Sequence, residues 1–137
     1  VYVESESRKV GNLSVPEPVM QAIRSSPCYA LELCEDERVG LLLEDYDFFV
    51  KDRDFFSQRL LALTELRGKA VVEKWQSQIA AGQMGAVVRD LLLTHYDPTY
   101  ASSLKRNFTQ SGQAIPLRAD NRSPQAMQAL ARQLVTL

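Results

Sequence analysis

The chain has 137 residues, of which 45% are hydrophobic and 24% charged, and its net charge is −1. These values are ordinary for a globular domain with one modest core. No apolar run approaches the roughly 20 residues of a membrane-spanning helix and no signal peptide is recognisable, so a cytoplasmic protein with no membrane partner is expected.

Val1-Tyr2-Val3 is β-branched and aromatic, which predicts a short buried strand, Val1–Glu4, running into the polar loop ESESRK. The chain has no initiator Met and opens like a strand already under way, which suggests a fragment of a longer protein. VPEPVMQAIRSS predicts a helix with Pro16 or Pro18 in its first turn and Val19, Met20 and Ile23 on one face. CYALELC predicts a second strand. Cys28 and Cys34 lie too far apart in it to bridge and lack zinc-type spacing, so two buried free thiols are expected and no metal site.

Asp36 is expected to cap a helix whose apolar stripe is Val39, Leu42, Leu43 and Tyr46. DRDFFSQRLLALTELRG predicts another, starting at Asp52 or Asp54 and stopping at Gly68. Val72, Trp75 and Ile79, then Met84, Val87, Val88, Leu91 and Leu92, mark two further helices divided at Gly82. Asp97-Pro98 predicts a helix start, with Asp97 as N-cap and Tyr100, Leu104 and Phe108 at i, i+4 and i+8. AIPLRA predicts a third strand, at an edge because of Pro116, and Ser123-Pro124 opens a final helix with Met127, Leu130 and Leu134 inward. Three strands and about seven helices predict a helix-rich α/β fold. It would be one domain over 1–137, with a helical insertion block at 36–109.

The small net charge conceals an asymmetry. Residues 1–68 hold 13 acidic and 8 basic side chains, a balance of −5; residues 69–137 hold 4 and 8, a balance of +4. The second half is the one suited to a polyanion, although the signal is mild.

Two constellations could carry chemistry. In ESESRK, Glu4 and Glu6 at a strand's carboxyl end could orient a water or hold Mg²⁺, and Arg8 and Lys9 could meet phosphate. A solvated loop with local ion pairs accounts for the same residues. In LLLTHYDPTYASSLKRN, His95 is the only histidine of the chain. Followed by Tyr96 and Tyr100 and then by Ser102, Ser103, Lys105 and Arg106, it could grip a phosphate or a base with them. Arg106, about two and a half turns beyond Asp97, would extend that strip. A plain helix junction also explains Asp97 and Pro98. No GxxxxGK[ST], GxGxxG, GxSxG or HExxH occurs, so the chain shows no complete active site and no catalytic residue can be named.

Three stretches together, VYVESESRKVGNLSVPEPVMQAI, PCYALEL…ERVGLLLEDY and LLLTHYDPTYASSLKRN, resemble the tRNA 2-selenouridine synthase family. The pattern E-S-E-S-x-x-x-G-x-x-x-x-P and the pattern H-Y-D-P-x-Y stand here in the family's order. The resemblance implies a transferase that replaces sulfur by selenium in wobble 2-thiouridine of tRNA through a geranylated intermediate. Its substrates would be geranyl diphosphate and selenophosphate, with no cofactor in the fragment itself. It further implies a rhodanese domain with a catalytic cysteine followed by a P-loop-type domain. This chain has neither the rhodanese domain nor the Walker A loop, so it resembles the C-terminal part of the second domain and would be inactive alone.

On that resemblance Glu4, Glu6, Arg8 and Lys9 would line the phosphate or substrate site. His95, Tyr96, Tyr100, Lys105 and Arg106, on the helical block with its basic second half, would bind tRNA. A partial P-loop-type parallel sheet is expected; without the Walker A strand its remaining strands would close the gap directly or pair with another chain. The alternative is a non-catalytic helical RNA-binding or protein-interaction module.

Overall fold

A computed structural model describes every residue of the chain except Glu6. The residues fall into two compact units, one made of 1–34 and 96–137, the other of 35–95. The helical block expected over 36–109 is therefore divided: 96–109 groups with the strands and only 35–95 forms a helical unit of its own.

The first unit begins without a strand. Val1–Glu4 is irregular and exposed, contrary to the expectation from its β-branched composition. A strand is defined by its neighbour, and no described segment offers this one a ladder to join. The segment is held by its side chains instead. The Tyr2 hydroxyl donates to the Leu134 carbonyl, and its ring meets Tyr29 edge-on at 6.4 Å.

A two-residue hairpin follows, β1 (Lys9–Val10) and β2 (Leu13–Ser14), turned at Gly11 with φ 61°. A two-residue hairpin turn needs a positive φ at its first central position, which is the physical reason for glycine in E-S-E-S-x-x-x-G. Pro16 is the N-cap of α1 (Glu17–Arg24), with Pro18 inside the first turn, and α1 buries Met20 completely.

The strands β3 (Tyr29–Leu33) and β4 (Ile115–Ala119) pair in parallel, Tyr29 opposite Ile115 and Leu33 opposite Ala119. Parallel pairing requires a long crossover, and here 81 residues lie between the strands. Each strand is an edge of a two-stranded sheet, which is why Pro116 is tolerated. The fold is thus helix-rich with a small parallel sheet. α9 (Pro124–Thr136), capped by the Ser123 hydroxyl accepting from the Ala126 N–H at 3.2 Å, packs on β4. Met20, Phe108, Leu117 and Leu130 form this unit's buried residues. Both cysteines are free, but only Cys28 is partly buried; Cys34, expected in the interior, is exposed beyond the end of β3.

The second unit is all helix: α2 (Glu35–Asp45), α3 (Asp47–Lys51), α4 (Arg53–Leu60), α5 (Thr64–Arg67), α6 (Lys69–Ala80) and α7 (Met84–Leu91). The helix α2 starts at Glu35, so Asp36 lies in its first turn and is not its cap. Asp52 does cap α4, accepting from the Phe55 N–H at 2.9 Å. The single helix predicted from Asp52 to Gly68 is interrupted by a 3₁₀ turn at Leu61–Leu63, and Gly68 then ends α5 with φ 88°. α6 closes in a Schellman motif: Gly82 N–H bonds to Ile79 O and Gln83 N–H to Gln78 O, with Gly82 at φ 77°.

Core positions follow the 3.6-residue period. Val72, Trp75, Ile79, Met84, Val87 and Leu91 are buried, joined by Phe56 and Leu60 from α4. Each contributes on the order of 1.5–3 kcal/mol by leaving water. Trp75 satisfies its one donor by bonding Asp90 Oδ2 at 2.7 Å. Arg89 on α7 bonds both Glu35 and Asp36, fastening the first turn of α2 to α7. The bond to Asp36, then that to Glu35, raises the Arg89 pKa above its ordinary value.

Candidate functional site

The ESESRK stretch and the H-Y-D-P-x-Y stretch meet in the first unit. The Tyr100 hydroxyl donates to the main-chain oxygen of Ser5 at 3.3 Å, across 95 positions of sequence. Behind this contact, Glu17 in the first turn of α1 accepts from Arg8 at 2.7 Å and from Arg24 at 3.2 Å. Arg24 also donates through Nε to the Asn107 carbonyl at 2.8 Å, at the C-terminus of α8 (Asp97–Asn107). A guanidinium there both satisfies a terminal carbonyl and suits the helix dipole. The loop, α1 and α8 are thereby tied into one polar cluster on the unit's surface.

Within it the candidate residues differ. Glu4 and Lys9 are exposed, and Lys9 forms no ion pair among the described residues. Arg8 has its charge committed to Glu17. The Ser7 hydroxyl both accepts from the Lys9 N–H at 3.0 Å and donates to the Lys9 carbonyl at 2.7 Å, closing the loop locally. Glu6 lies outside the described residues. Among the described residues Val1–Glu4 forms no strand, so the strand end expected to carry Glu4 is absent there.

The junction before α8 is not a capped helix start. Leu92–Tyr96 forms one π-helical turn, and Tyr96 has helical dihedrals, φ −71° and ψ −49°. Asp97 is therefore the first residue of α8 and not its N-cap. The Thr94 hydroxyl donates to the Asp90 carbonyl at 2.7 Å, the acceptor an α-helix would give to Thr94's own N–H. Single π turns of this sort are often found at functional sites.

His95, at the end of the helical unit, accepts at Nδ1 from the Arg67 guanidinium, with Nη2 at 3.0 Å and Nε at 3.3 Å. That arrangement places the remaining imidazole proton on Nε2. Arg67 was not identifiable from the sequence, since nothing local marks a residue 28 positions away as the histidine's partner.

Tyr96, Tyr100, Lys105 and Arg106 are all exposed. They do not share a face: at 3.6 residues per turn, Arg106 stands about 180° from Asp97, and Lys105 is roughly 140° from Tyr100. A continuous strip from Asp97 to Arg106 is thus ruled out by the helix itself. Lys105 and Arg106 lie in the last turn of α8, where positive charge also offsets the helix dipole.

Counted by unit, the basic character lies with the strands. Residues 1–34 and 96–137 hold 8 basic and 6 acidic residues, +2; residues 35–95 hold 8 and 11, −3. Of the block expected over 36–109, the part that brings Lys105 and Arg106 therefore belongs with the strands.

A shallow depression lies at the carboxyl ends of β3 and β4, lined by Glu32, Leu33, Cys34, Arg118, Ala119 and Asp120, with Arg118 bonded to Glu32 at 2.6 Å. Carboxyl ends of parallel strands are where α/β sheets bind ligands. The polar residues following both strands were the available signal for it. Among the described residues no group of three or more His, Cys, Asp or Glu side chains is placed to hold a metal ion, and no helix is long and apolar enough to cross a membrane. Compared with models of known protein families, with curated proteins and with solved structures, the chain finds no match.

Proposed function

We propose that this chain is the C-terminal portion of a tRNA 2-selenouridine synthase, and that the strand-bearing unit is the part that meets tRNA. The observation that carries the reading is the Tyr100–Ser5 hydrogen bond, which joins the two stretches on which the resemblance rests. Three further points support it. Gly11 and Pro16 have definite backbone tasks in the E-S-E-S-x-x-x-G-x-x-x-x-P pattern. β3 and β4 run parallel with a helical insertion between them, as in a partial P-loop-type sheet, and Leu31 is exposed on a face of the kind that crossover helices cover in a full parallel sheet. The unit holding Lys9, Lys105 and Arg106 has the positive balance.

In this reading the chain's own work is binding and orientation. Lys9, Lys105 and Arg106 meet backbone phosphates, and Tyr96 and Tyr100 offer rings and hydroxyls to an unstacked base. The exchange of sulfur for selenium on the wobble 2-thiouridine belongs to the complete protein, with geranyl diphosphate and selenophosphate as substrates. The P-loop-type assignment and the site roles of Glu4, Glu6 and Arg8 belong to the same proposal.

The test is titration of the chain with tRNA, with and without 2-thiouridine, across a salt series. Expected are an affinity that falls as salt rises and losses in Lys9→Ala and Arg106→Ala. No affinity at low salt, or affinity indifferent to both substitutions, overturns the reading. A second reading, a non-catalytic RNA-binding or protein-interaction module, draws on the exposed aromatic side chains of the helical unit.

A further inference from the structure

The stretch DYDFFVKDRDFF builds an aromatic ladder that runs from the core of the helical unit to its surface. Phe56 is buried and Phe49 half-buried above it at 5.1 Å between ring centroids. Phe49 stacks on Phe55 at 5.4 Å and 13°, touches Phe48 at 4.4 Å, and stacks on Tyr46 at 6.2 Å. The outer rings are left in water: Tyr46 is 50% exposed, Phe48 48% and Phe55 41%. Burying three aromatic rings only halfway forgoes stabilisation that a partner would recover.

The surroundings of these rings are acidic. Residues 44–54 hold five acidic and two basic side chains, a balance of −3. The cations present are partly spoken for, because Lys51 pairs with Asp47 and Arg53 reaches the Ala80 carbonyl. Asp45 and Asp54 are exposed and form no ion pair among the described residues. Arg59 already sits over the Phe55 ring at 6.0 Å, an internal example of a guanidinium on this ladder.

Negative ring faces in a segment of net charge −3 complement one kind of partner, apolar and cationic at once. Nucleic acid could stack on the rings, but its phosphates would face Asp45 and Asp54. A second copy meeting this face across a two-fold axis would set the same carboxylates against each other. We propose that the Tyr46–Phe55 surface docks a basic amphipathic segment of a partner protein. The partner's apolar side chains would cover Phe48 and Phe55, and its Arg or Lys would face Asp45 and Asp54.

The experiment uses the full 137-residue chain. Three fluorescent helical peptides share one Leu face and differ only in flanking Arg, Gln or Glu, and binding is read by anisotropy. The Arg peptide is expected to bind, more weakly at high salt, and to lose at least about tenfold affinity in Phe48→Ala, as for an anchoring aromatic. The double variant Asp45→Asn/Asp54→Asn, which keeps polar side chains of the same size, is expected to lose affinity for the Arg peptide and its salt dependence while circular dichroism shows the chain still folded. The proposal is overturned if no Arg peptide binds, if the Glu peptide binds equally, or if neither variant changes the affinity. Self-association, or binding of a single-stranded RNA, that Phe48→Ala abolishes would overturn it equally, by naming a different occupant.

Discussion

The hydroxyl of Tyr100 on α8 reaches the backbone oxygen of Ser5, and through it two motifs far apart in sequence share one surface. Because the acceptor is a main-chain atom, the side chain of Ser5 is not needed for it. Tyr100→Phe should cost no more than about 1 kcal/mol of stability, the usual net worth of one such bond. In the proposed function it should also weaken tRNA binding. Ser5→Ala should leave both quantities unchanged. Urea unfolding and tRNA titration of the two variants separate the roles, and equal loss in both would show that the loop's side chains, not this bond, organise the surface.

Arg67 and His95 form the corresponding pair in the helical unit. If the guanidinium orients the imidazole, Arg67→Ala and His95→Ala should destabilise the helical unit to a similar extent. Their double-mutant cycle should show a coupling of about 1 kcal/mol in stability, typical for groups sharing a charged hydrogen bond. Arg67→Lys should not rescue, since a single ammonium cannot present the planar pair of donors now within reach of Nδ1. Additive effects in the cycle would refute the orienting role.

What could be read in advance follows from the range of the forces involved. The periods of Val72, Trp75 and Ile79, and of Met84, Val87 and Leu91, are local and appear in the structure as buried stripes. The segments at Tyr29–Leu33 and Ile115–Ala119 are likewise strands. Val1–Glu4 has equal strand propensity yet no ladder, since pairing depends on a distant neighbour. Asp97-Pro98 reads the same whether a helix begins there or a π turn leads in, because the difference lies in the preceding residues. The partners of His95 and Tyr100 lie 28 and 95 positions away and carry no local mark.

Two glycines should respond in opposite directions to the same substitution. Gly68 has φ 88° and ψ 151°, a region nearly closed to other residues, although nothing lies within 4 Å of an added Cβ. Gly68→Ala should therefore destabilise by about 1–3 kcal/mol through backbone strain alone. Gly85 lies within α7, and a Cβ there would meet Leu43 Cδ1 at an ordinary 3.9 Å. Gly85→Ala should stabilise by roughly 0.5–1 kcal/mol, by restricting the unfolded chain and favouring helix. Thermal melts of the pair check both signs.

Trp75 and Asp90 give the strongest test of the helical core. The indole is completely buried and its N–H ends on Asp90 Oδ2 at 2.7 Å, while Lys74 stands 3.8 Å from the same oxygen. Asp90→Asn keeps an acceptor for the indole and loses only the exposed ion pair, so it should cost about 1 kcal/mol or less. Asp90→Ala strands a buried donor and should cost about 1–3 kcal/mol. Trp75→Ala removes the largest buried side chain of the unit and should cost about 3–5 kcal/mol, a large share of the roughly 5–15 kcal/mol that holds an ordinary domain folded. Circular dichroism in urea ranks the three, since Trp75 is the only tryptophan and its fluorescence is lost with it. An Asp90→Asn cost equal to that of Asp90→Ala would mean that the charge, and not the acceptor, holds the indole.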